Sequence, residues 1–135
     1  METTKHMTDD INLHEALAAV FGEPQELGEG ITAYNLPPRP RFQLGQCMAT
    51  QGALGALEDN HTFPIVYLKR HESGDWGDLG EADKAMNEAA IVPMGGDPEK
   101  ADRILSMYIL PDKQRIYIIT EWDRERTTIL LPTEY

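Results

Sequence analysis

The sequence predicts a single α+β domain, with N-terminal helices packed on a small C-terminal antiparallel β-meander of three to four strands. Three observations lead there. Apolar residues near the start recur at helical spacing, and the last third holds three β-branched and aromatic runs separated by short polar turns. The length of 135 residues supports one core and not two, and an apolar share of 41% is that of a folded chain.

The His6-Met7 dipeptide reads as a cloning scar with Met7 as the start. Residues 1–8 are therefore expected to be a disordered N-terminus or tag remnant, and residues 9–135 the domain. Leu13, Ala16, Leu17, Val20 and Phe21 form one helical stripe. Asp9, Asp10 or Asn12 can cap its start, and Gly22 with Pro24 ends it. The glycine- and proline-rich stretch that follows reads as loop, with a short extended piece at Ile31–Leu36. Pro37, Pro38 and Pro40 impose a polyproline-like path. Phe42–Ala49 reads as a strand, and Thr50 is a good N-cap for a short helix carrying Leu54 and Leu57. Gly52 and Gly55 would weaken that helix by about 1 kcal/mol each unless something packs closely on them.

Pro64 suits the first turn of a helix, so "FPIVYLKR" is read as helical. Leu79, Ala82, Met86 and Ala89 recur at helical spacing, with Asp83, Lys84, Asn87 and Glu88 on the other side, giving a helix from about Glu81 to Ala90. Gly95, Gly96 and Pro98 make an exposed loop. "RILSMYIL", "RIYIITEW" and "RTTILLP" are the meander strands, and Ile116 and Ile118 or their neighbours face the helices.

The net charge is −11, and residues 72–102 alone carry −7. Such a chain repels phosphates, which disfavours direct nucleic-acid binding, and it attracts a basic host protein or nucleoprotein complex. No apolar run approaches the ~20 residues that span a bilayer, and the start lacks a secretory pattern. The single cysteine, Cys47, cannot form an internal disulfide, so a cytoplasmic location is expected. It lies in a strand without basic neighbours and reads as core. Tyr67, Tyr108 and Tyr117, set among aliphatics, also read as core. Walker, GxGxxG and GxSxG signatures are absent, so no cofactor is expected. Exposed edges of a small sheet could pair two copies, which is compatible with a homodimer.

The stretch "KRHESGDWGDLGEADK", residues 69–84, concentrates the candidate chemistry. On a catalytic reading, His71 is a general base or metal ligand oriented by Asp75, with Glu121 and Asp123 alongside, in a small metal-dependent or acid/base hydrolase. The spacing from His71 to Asp75 and Asp78 matches no defined metal motif, so no metal site is assigned. On an interaction reading, Glu72, Asp75, Trp76, Asp78, Glu81, Asp83, Asp97 and Glu99, with Arg124, present a surface to a basic partner. On a structural reading, Asp78 or Gly80 caps the next helix and Trp76 folds onto the core. Arg124 either pairs across its turn or joins Glu121 in a polar cleft beside the Trp76 loop.

"LGQCMATQGAL", "RHESGDWGDL", "RILSMY" and "YIITEWDRERTTILLPTEY" together resemble a family of small, uncharacterised bacterial proteins carried on plasmids and phages. The resemblance covers about residues 42–135. The family usually has alanine in place of Trp122 and a shorter link in place of "IVPMGGDPEKAD". It implies no catalytic residues. What it implies is context: an accessory protein of mobile DNA, of the kind that inhibits a host CRISPR or restriction complex by protein–protein contact.

Overall fold

The computed structural model describes residues 4–6, 25–28, 31–33, 39–92 and 95–135. The helix expected over Leu13–Phe21 lies outside the described residues, as do Pro37 and Pro38. Three short strands, β1 (Thr4–His6), β2 (Gln25–Gly28) and β3 (Ile31–Ala33), precede β4 (Gln46–Thr50). The helices α1 (Gln51–Asp59), α2 (Pro64–Glu72) and α3 (Glu81–Ala90) follow, and then β5 (Ile104–Ile109), β6 (Arg115–Thr120) and β7 (Arg126–Leu130).

The last three strands form the antiparallel meander that their apolar alternation predicts. The sheet as a whole is mixed, which corrects the expectation of a purely antiparallel one. β4 lies parallel to β7, pairing Gln46 with Arg126 through Ala49 with Ile129. β1 adds antiparallel to the outer side of β4, giving the order β1-β4-β7-β6-β5. The helices carry the chain from β4 across to β5, and two further reversals bring β7 back beside β4 in the same direction. β2 and β3 pair separately as a two-stranded hairpin.

β4 starts later than Phe42 for a local reason. Gly45 has φ +66°, and a Cβ there would collide with the Glu125 carbonyl oxygen, so the chain turns at this point before pairing begins. Thr50 caps α1, its Oγ1 accepting from the Ala53 N–H at 3.1 Å. Pro64 sits in the first turn of α2, whose last turn carries Lys69, Arg70 and His71 toward the negative end of the helix dipole.

α1 and α2 cover one face of the sheet. Ala53, Ala56 and Leu57, with Tyr67 and Leu68, pack on Ala49, Tyr108, Ile116, Ile118 and Ile129. Strand alternation puts Leu105, Ile119 and Leu130 on the opposite face with Leu79 and Tyr117. α3 departs from its expected orientation. Asn87 and Ala90 are its buried residues, whereas Ala82, Met86 and Ala89 are exposed. The reason lies at the edge of β5.

Candidate functional site

The stretch over residues 69–84 is first of all the seal on that edge. An edge strand offers a row of unpaired backbone groups. In β5 those groups are consumed by the preceding chain. The Met107 N–H donates to the Trp76 carbonyl at 3.2 Å, and the Met107 carbonyl accepts from the Asp78 N–H at 2.7 Å. The Asn87 amide does the same for Leu105, donating to its carbonyl at 2.6 Å and accepting from its N–H at 3.0 Å. Asp78 Oδ2 takes the Ile109 N–H at 3.3 Å. Gly77 (φ +73°) lies so close to the Met107 carbonyl that no side chain fits there.

The carboxylates of this stretch are largely engaged within the molecule. Asp75 pairs with Arg70 at 2.6 Å and accepts the Gly77 N–H. Glu72 is buried and pairs with Lys69 at 2.9 Å. Glu81 lies 3.7 Å from Lys84. Trp76 is buried, and its Nε1–H donates to Glu88 at 2.9 Å. Burial removes Glu72 and Trp76 from any contact surface. Asp83, Asp97 and Glu99 are exposed, Asp97 capping the Pro98–Lys100 turn through the Glu99 N–H.

His71 is 0% exposed, and both ring nitrogens are occupied by hydroxyls. Nδ1 lies 2.5 Å from Ser106 Oγ and Nε2 2.9 Å from Thr120 Oγ1. Thr120 Oγ1 is 2.6 Å from Thr127 Oγ1, which donates to the Leu44 carbonyl at 2.7 Å. A carbonyl only accepts, and that fixes the direction of the whole chain. Thr127 gives its proton to Leu44, Thr120 gives its proton to Thr127, and His71 donates from Nε2 to Thr120. Ser106 then donates to Nδ1. The imidazole is neutral: burial, reinforced by the positive charge of Arg124, lowers its pKa to about 3. This corrects the partners expected for His71. The partners of His71 are Ser106 and Thr120 in place of Asp75, Glu121 and Asp123. No group of three His, Cys, Asp or Glu among the described residues could hold a metal ion. Ser106, Thr120 and Thr127 were visible in the sequence as polar residues at inward positions of apolar strands, a signal that goes unnoticed when reading for charge.

Phe42 joins this buried relay to an open groove. Its ring meets His71 edge-on at 5.1 Å and stacks on Trp76 at 6.1 Å, with the Arg124 guanidinium carbon 5.9 Å from its centre. Arg124 and Trp76 thus both approach the Phe42 ring, an aromatic floor where a polar cleft was one of the expectations. The groove, about 290 Å³, is lined by Phe42, Ile91, Val92, Pro98, Ala101 and Trp122, together with Arg41, Gln43 and Arg124. Trp122, on the β6–β7 turn, is 63% exposed. Arg41 grips Glu88 through both terminal nitrogens at 2.9 and 2.7 Å, holding that carboxyl at a pKa of about 2 with help from Trp76. Arg124 has φ +61°, and its guanidinium donates to the carbonyls of Asp102, Glu121 and Ala90 at 2.6, 3.0 and 2.9 Å. Glu121 and Asp123 are exposed on the same turn.

Comparison with family models, curated proteins and solved structures returns no match for this chain. No helix among the described residues is long and apolar enough to cross a membrane.

Proposed function

We propose that this chain is an accessory protein of mobile DNA that works by binding a basic host protein, as an inhibitor of a CRISPR or restriction complex, and catalyses no reaction of its own. One observation carries the reading. His71, on which the catalytic reading depended, is committed inside the fold, while an apolar groove and a set of exposed carboxylates stand open beside Trp122. The biological setting comes from the resemblance of residues 42–135 to plasmid- and phage-borne proteins. Opposite charge would steer encounter with a cationic surface built for DNA, and that steering weakens with salt.

Two changes follow for the expected contact surface. It moves from residues 72–83, where pairing with Lys69, Arg70 and Lys84 takes up charge, toward Asp97, Glu99, Glu121 and Asp123. Arg124 acts there as a staple of the groove wall rather than as a contact. The hydrolase alternative is not favoured, since His71 has no free nitrogen and no path to solvent.

The test is a protection assay. Expression of the protein in hosts carrying a restriction or CRISPR system is expected to raise phage plating and plasmid uptake. The double reversal Glu99→Lys, Glu121→Lys, at exposed side chains outside the turn-capping bonds, should abolish protection while leaving thermal unfolding unchanged. Absence of protection across a panel of both system types would overturn the anti-defence reading.

A further inference from the structure

We infer that the groove floored by Phe42 and walled by Trp122 seats a single apolar side chain carried on a lysine- and arginine-rich segment of the partner. The inference deepens the binding reading above and rests on it. Trp122, 63% exposed on a tight turn, is the large apolar side chain that stands open at this site. Pro98 is exposed beside it, and Phe42, Ile91, Val92 and Ala101 are half-buried beneath. An exposed indole beside an apolar trough is the kind of anchor that dominates protein interfaces once it is desolvated. At about 290 Å³ the groove falls just under the range of small-molecule pockets, about 300–1,000 Å³, and has room for one side chain with the backbone that carries it.

Charge decides what flanks that anchor. The two cations in the groove are already committed, Arg41 to the Glu88 carboxylate and Arg124 to three backbone carbonyls. Asp102 and Asp123 lie near enough to Arg124 to act on its charge directly. The groove residues and the two turns that wall it, over 97–102 and 121–125, hold seven carboxylates with Glu88 included, against the three cations Arg41, Lys100 and Arg124, for a net of −4. An acidic segment is repelled there. A basic one gains from the carboxylates and from the face of the Trp122 ring.

Isothermal titration with short, tryptophan-free synthetic peptides tests this directly. The probe is a run of lysines and arginines with one central leucine; its controls carry a central glycine, or glutamates in place of the basic residues. Binding of the leucine peptide is expected, weakening about tenfold or more for Trp122→Ala and for the glycine peptide, and weakening again as salt rises. No binding, or binding indifferent to Trp122 and to leucine, overturns the inference. Preference for the glutamate peptide overturns it in favour of an anion site at Arg124. Sedimentation showing a dimer that Trp122→Ala dissociates overturns it in favour of a second copy of the chain. The two proposals fail separately. Protection with no peptide binding means that the partner docks elsewhere, and peptide binding without protection retires the anti-defence role alone.

Discussion

Asn87 does with one side chain what a neighbouring strand does with its backbone. It satisfies both outward groups of Leu105, and it does so while buried. Asn87→Leu would leave a buried N–H and a buried carbonyl unpaired, at an expected cost of about 2–4 kcal/mol. Urea unfolding should read that loss, and hydrogen exchange at the Leu105 amide should accelerate beyond it. His71 makes a different demand. It must enter the fold neutral, with a pKa lowered from 6.5 to about 3. Above pH 6.5 neither folded nor unfolded chain holds the proton, and the full stability is present. As pH falls from 6.5 toward 3, the unfolded chain binds a proton that the native one refuses, and stability is lost by up to about 1.4 kcal/mol per unit. Denaturation midpoints of the wild type between pH 7 and 5 should therefore fall more steeply than those of His71→Gln, which lacks the titrating group.

The two glycines of α1 looked equivalent in the sequence, and the structure separates them. A Cβ at Gly52 would press on Leu131 and Glu134, whereas nothing approaches Gly55. Gly55→Ala is expected to stabilise the protein by about 0.5–1 kcal/mol, seen as a higher melting temperature, because it restricts the unfolded chain and costs nothing in the fold. Elements governed by local rules were legible in this way. Thr50 marked a cap, Pro64 a first turn, and the Ile, Tyr and Thr alternation three strands. What was not legible depended on partners distant in sequence. Nothing near Asn87 announces that Leu105 needs it, so a polar residue among Asp83, Lys84 and Glu88 reads as solvent-facing. The relay from Ser106 through His71 and Thr120 to Thr127 spans four separate elements, and the aspartates near His71 in sequence turned out to serve Arg70 and the backbone of β5.

Across the whole molecule, the acidic balance that dominates the composition is spent unevenly. Around residues 69–78 it is absorbed by internal pairs and by the edge of the sheet, and around the 97–102 and 121–125 turns it remains exposed beside the groove. The parallel pairing of β4 with β7 governs something else: when the domain can come into being. Ala49 and Ile129 are joined across almost the full length of the core. During synthesis, β4 and the helices after it emerge from the ribosome with no strand to complete their sheet, and they must wait unclosed until Ile129 has cleared the exit tunnel. Folding is thus a single late event, and a chain stalled before β7 would hold its apolar helix faces open to chaperones and proteases.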